Sequence, residues 1–106
     1  MSLEVWVGKV EVRQLPGDDH LIVLSGKGAF TWVTCWAVDL ESYKNKVSAV
    51  MNDYGLFVVE AEQIMPFVEA DQNGLVSEKL AEQFEDTSQN EEYCIYGTFH
   101  NYLQNQ

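Results

Sequence analysis

The sequence predicts an α+β fold: a two-layer sandwich with a mixed sheet of about five strands, in the order β-β-β-α-β-α-β, and helices on one face. Three observations carry that prediction. Apolar and polar residues alternate along Leu3–Leu15. Phe30–Val38 is apolar or small on both of its alternating faces. Between Asp39 and Gly55, apolar residues recur on a helical period. The 106 residues fit one domain. An apolar fraction of 46% with 12% aromatics belongs to a chain that folds around a core.

Leu3–Leu15 reads as a strand in which Trp6, Val10 and Val12 share one face and Lys9, Glu11 and Arg13 the other. Pro16-Gly17-Asp18-Asp19 marks a turn, because proline presets φ, glycine permits positive φ and aspartate closes side-chain turns. His20–Ser25 is a short apolar strand ended by Gly26-Lys27-Gly28, which suggests an antiparallel meander. In Phe30–Val38, Phe30, Trp32, Thr34, Trp36 and Val38 lie on one face and Thr31, Val33, Cys35 and Ala37 on the other, as in a central strand.

Asp39 fits a helix N-cap with Glu41 in the first turn, where the helix dipole favours acid. The stripe Leu40, Tyr43, Val47, Val50, Met51 and Tyr54 follows, and Gly55 stands where a left-handed C-terminal residue is needed. Leu56–Ala61 forms the next strand, so Phe30–Ala61 has the form strand–helix–strand, which places its two strands parallel. Ile64–Asn73 reads as a loop, with Pro66 disfavouring helix at Met65. Ser77 caps a short helix, Glu78–Phe84, with Leu80, Ala81 and Phe84 inward; Glu85–Glu92 is an acidic loop and Tyr93–Leu103 the last strand.

Charge is the feature with most to say about partners. The formal net charge is -11. Residues 1–53 hold seven acids and five bases (5 - 7 = -2), whereas residues 54–106 hold ten acids and only Lys79 (1 - 10 = -9). Those ten are Glu60, Glu62, Glu69, Asp71, Glu78, Glu82, Glu85, Asp86, Glu91 and Glu92. Such a face repels nucleic acid and anionic lipid and attracts basic proteins. Trp6, Trp32 and Trp36 lack the basic surroundings that base-stacking needs and read as sheet-packing residues.

Candidate chemistry is sparse. Glu69, Asp71 and Asn73 fall at the first, third and fifth places of a calcium loop if Gly74 takes the turn, but the twelfth place is Leu80 instead of a bidentate glutamate. The segment therefore reads as an Asn-Gly turn, and no metal or cofactor is expected. His20 and His100 have no zinc-type spacing around them. Cys35 and Cys94 read as two buried free thiols; a disulfide between them requires their strands to be neighbours. A basic n-region and apolar run typical of a secretion signal are missing at Met1–Glu11, and apolar runs such as Leu21–Leu24 are too short for a bilayer, so a cytoplasmic protein without membrane association is expected.

The segment Thr31–Phe67, with Trp32-Val-Thr-Cys-Trp36-Ala, the helix, Asn52-Asp-Tyr-Gly55 and a strand ending at Ile64-Met-Pro66-Phe67, resembles segments of small bacterial α+β proteins, some of which are immunity factors that neutralise a toxin domain. The resemblance implies no catalytic residues to carry over, and the acid cluster is consistent with immunity proteins that block basic toxins. The leading expectation is thus a soluble acidic protein that docks a basic partner. Two alternatives stand beside it. One is a homodimer paired through the Tyr93–Phe99 strand. The other is a ligand-binding or enzymatic pocket between sheet and helix, lined by Trp32, Trp36, Tyr96 and His100.

Overall fold

The computed structural model describes residues 3–14, 28–92, 94–97 and the backbone of 100–102. The elements are β1 (Glu4–Gln14), β2 (Gly28–Ala37), α1 (Leu40–Asp53), β3 (Leu56–Pro66), α2 (Phe67–Gln72), α3 (Glu78–Ser88), β4 (Cys94–Tyr96) and β5 (His100–Tyr102). The expected His20–Ser25 strand lies outside the described residues.

The sheet is open and follows the path β3-β1-β2-β4, with β5 pairing farther along β2. All strand pairings among the described residues are antiparallel, which corrects the expected mixed sheet. The strand–helix–strand unit explains the difference. β2 and β3 do run the same way, but β1 lies between them and pairs antiparallel with both. With β1 between them, the two parallel strands become next-nearest neighbours.

The expected last strand is divided. Cys94, Ile95 and Tyr96 pair with Cys35, Thr34 and Val33, whereas His100 pairs with Phe30, so the register slips by one residue between the two segments. Strand β3 slips twice against β1, and Gln63 takes a positive φ of 55° near the second slip. Bulges of this kind twist an exposed edge and discourage pairing with another chain.

Helices cover both faces of the sheet, not one. On the first face Tyr43, Val47 and Met51 of α1 pack on Val10, Val12, Ala29, Val33, Cys35, Ala37 and Leu56. On the second, Phe67 and Ala70 of α2 and Leu80 of α3 pack with Val5 and Val7, flanked by Trp32, Trp36 and Phe84. The cause is in β1. Val5 and Val7 occupy the opposite parity from Val10 and Val12, so this strand has an apolar stretch on each face.

Helix α1 starts at Asp39, whose side chain accepts from the Ser42 amide at 2.8 Å while the Ser42 hydroxyl accepts from the Asp39 amide at 3.2 Å. This reciprocal box satisfies two amides that the helix start leaves without partners. Gly55 has φ 86° directly after the helix. Leu40, placed on the apolar stripe by its spacing, is 45% exposed instead. The stretch expected to be a loop, Ile64–Asn73, contains the end of β3 and helix α2, with Pro66 extended between them at φ -57° and ψ 143°. Helix α3 runs on through Ser88, into residues expected to form the acidic loop. Gly74 has φ 72° after Asn73, as an Asn-Gly turn requires.

Candidate functional sites

Close packing on the first face sets the position of every other group. Tyr43 is fully buried, and its hydroxyl donates to the Val33 carbonyl at 2.7 Å. To reach it the ring passes over Gly8, which pairs with Val33. A Cβ on Gly8 would meet the Tyr43 hydroxyl oxygen at 2.8 Å and Ile64 Cγ1 at 3.0 Å, so the glycine is required by close approach. Burial pushes the Tyr43 phenol well above its ordinary range, and negative charge at Cys94 or Cys35 would push it further.

Beside this core, Cys35 and Cys94 are direct cross-strand partners. Both are free thiols; Cys35 is 1% exposed and Cys94 half-buried. The two side chains are hydrogen-bonded. Cys35 Sγ lies 3.6 Å from the Trp36 carbonyl, and Lys46 Nζ donates to the same carbonyl at 2.7 Å. The bond from Cys94 lowers the Cys35 pKa, burial opposes this, and the Lys46 ammonium adds to the lowering. The same bond raises the Cys94 pKa, together with burial and the charge of Cys35, against Lys46. As a pair they give up a first proton readily and hold the second. An open cleft of about 410 Å³ reaches Cys94 between Val50, Asp53, Tyr54, Glu92 and Ile95.

The second face holds a polar junction that the sequence reading does not contain. Gln83 of α3 donates its side-chain amide to the Trp32 carbonyl at 2.9 Å and the Ile95 carbonyl at 2.7 Å, across the seam of β2 and β4. The Thr87 hydroxyl is hydrogen-bonded to the Gln83 carbonyl at 2.9 Å and to the Thr34 hydroxyl at 2.6 Å, and the Thr34 hydroxyl also reaches the Ile95 carbonyl at 3.4 Å. Trp36 Nε1 donates to the Thr87 carbonyl at 2.8 Å. The available signal is the spacing of Leu80, Gln83, Phe84 and Thr87, which places all four on one side of a helix.

These contacts separate the residues expected to line one pocket. Trp32 and Trp36 belong to the α2–α3 face. Tyr96 packs on the α1 face, edge-on to Tyr54 with ring centroids 5.6 Å apart. The sheet itself stands between them. His100 is placed only by its backbone pairing with Phe30.

All ten acids of the second half are exposed. They fall into three groups. Glu69 and Asp71 on α2 and Glu78, Glu82, Glu85 and Asp86 on α3 are carried by the two helices of one face. Glu78, Glu82 and Glu85 form one outward ridge, since Leu80, Gln83, Phe84 and Thr87 point the other way. Glu60 and Glu62 lie on β3, opposite Glu11 and Lys9. Glu91 and Glu92 follow α3, and Glu92 lines the cleft at Cys94. Val68 and Leu75, within the same α2–α3 segment, are 61% and 38% exposed.

Among the described residues, no group of three or more His, Cys, Asp or Glu is placed to hold a metal ion, and no helix is long and apolar enough to cross a membrane. Compared with known protein families, curated proteins and solved structures, the chain matches none.

Proposed function

We propose that this protein is a non-enzymatic binding protein whose α2–α3 unit docks a basic protein surface, as an immunity-type inhibitor would. The observation that carries this reading is the cost of the acids to their own helix. Glu82 repeats the charge of Glu78 four residues before it, which itself gains from its place in the first turn, and Glu85 and Asp86 stand in the last turn of α3, where the dipole disfavours acid and no base offsets it. Each such placement costs a few tenths of a kcal/mol. A helix optimised for stability would place lysine there. Exposed Val68 and Leu75 supply apolar contact amid the charges, the composition of an interface with a charged rim. Opposite charge on the partner would speed encounter and select it, with binding that weakens steeply as salt rises.

Affinity capture from native lysate at low salt tests the proposal. The expected result is a basic protein released by a salt step and no longer captured when Glu82, Glu85 and Asp86 are neutralised to Gln, Gln and Asn. Capture indifferent to salt and to that triple change overturns it. A dimer in light scattering with nothing captured replaces it with self-association along the β4 edge.

A further inference from the structure

The chemistry of the Cys35–Cys94 pair is independent of the docking face. We propose that Cys35 and Cys94 are a redox-active dithiol, which a hydroperoxide converts to a cross-strand disulfide through the cleft at Cys94.

Four observations support the assignment. Directly opposed residues on antiparallel strands have Cα atoms about 4.5–5.5 Å apart, inside the span that a disulfide bridges. The two side chains lie on the same face of the sheet as a directly opposed pair, and Lys46 holds a cation on the carbonyl beside Cys35. One sulfur is closed in the core while the other lines a cleft, which separates the roles of entry and resolution. Asp53 and Glu92 line that cleft. They disfavour anionic low-molecular-weight disulfides and leave a neutral hydroperoxide as the oxidant class that enters.

The first proton of the pair leaves Cys35; in the first step Cys94 passes its own proton across to Cys35 and the Cys94 sulfur, now thiolate, attacks a peroxide oxygen. An S–O bond forms, the O–O bond breaks, and the leaving hydroxide takes up the proton lost by the thiol. In the second, the Cys35 sulfur attacks the Cys94 sulfenic sulfur, the S–O bond breaks, and water leaves with the Cys35 proton. With hydrogen peroxide, two thiols and one peroxide become one disulfide and two waters. A dithiol reductant restores the starting state by exchange.

The test treats the whole reduced protein with equimolar hydrogen peroxide and reads intact mass, free thiols and Tm. The expected result is a loss of both thiols, a mass lower by about 2 Da, a Cys35–Cys94 cross-linked peptide, a higher Tm and reversal by dithiothreitol. Cys35→Ala should leave a Cys94 sulfenic acid that dimedone traps, whereas Cys94→Ala should leave Cys35 unreactive while the chain stays folded. The proposal is overturned if both wild-type thiols survive until unfolding. It is equally overturned if Cys94 over-oxidises without a cross-link, or if the cross-link joins two chains. The wild-type readouts need no variant to fold.

Discussion

The two faces of the sheet are closed by different means. The α1 face is sealed by one capped helix whose Tyr43, Val47 and Met51 are fully buried against valines and alanines of β1 and β2. The opposite face is covered by two shorter helices, with a smaller apolar cluster and a junction of threonines and a glutamine in place of further aliphatic packing. Hydrophobic burial is non-directional and tolerant, while buried polar contacts demand each partner. The first face holds the larger cluster of closed apolar side chains, and the polar junction of the second therefore fixes how α3 sits and which residues it turns outward.

The largest expected effect is a core truncation. Met51→Ala should cost about 2–5 kcal/mol in denaturant unfolding, because it empties a closed site. Phe84→Ala, half-buried and stacked on Phe67 with centroids 4.0 Å apart, should cost clearly less. Equal costs would break the comparison. Next comes Gly8→Val, expected to destabilise by about 1–3 kcal/mol through overpacking at Tyr43 and Ile64, and a neutral result would mean that α1 can shift off the sheet.

On the polar face, Thr87→Val should cost about 1–2 kcal/mol by removing the short bond to the Thr34 hydroxyl, which keeps only its longer contacts to Gln83 and Ile95. The double change Thr34→Val with Thr87→Val should recover part of that loss in a double-mutant cycle. Purely additive costs would mean that the 2.6 Å contact contributes nothing.

A pH test follows from Tyr43. Its phenol has a higher pKa folded than unfolded, so the folded state holds the proton more tightly. That contribution is full below about pH 10, the unfolded value, and is lost as pH rises toward the folded one. Tm should therefore fall above about pH 10, and Tyr43→Phe, though less stable at neutral pH, should show a shallower fall. The smallest effect is expected at the surface. Glu78→Gln, Glu82→Gln and Glu85→Gln together should leave stability within about 0.5 kcal/mol or raise it, checked by thermal melts at low salt. A marked loss would mean that the ridge is structural and would weaken the docking proposal.

Legibility in the sequence followed the range of the interaction. Helix α1 was readable because its cap, stripe and terminal glycine all lie within Asp39–Gly55. Strand β1 was readable from alternation, yet the change of parity between Val7 and Val10 was the sign of a two-sided sheet, and reading one face concealed it. Helix α2 is hard to read from the sequence because Pro66, a loop signal, lies just before its first turn, where proline is tolerated. The pocket expected from Trp32, Trp36, Tyr96 and His100 depends on strand register, which the sequence does not contain: Tyr96 pairs with Val33, on the opposite face from Trp32 and Trp36.

The sequence by itself determined the α+β class, the ends of α1, the two apolar faces of β2 and the concentration of acid after Tyr54, because capping, periodicity and charge are local properties of the chain. Only the tertiary structure decided that β1 would stand between β2 and β3, that helices would close both faces, and that Cys35 would meet Cys94. Those outcomes depend on which strand pairs with which. That choice is settled by the burial of all the apolar faces together, a sum over distant residues that no local pattern contains.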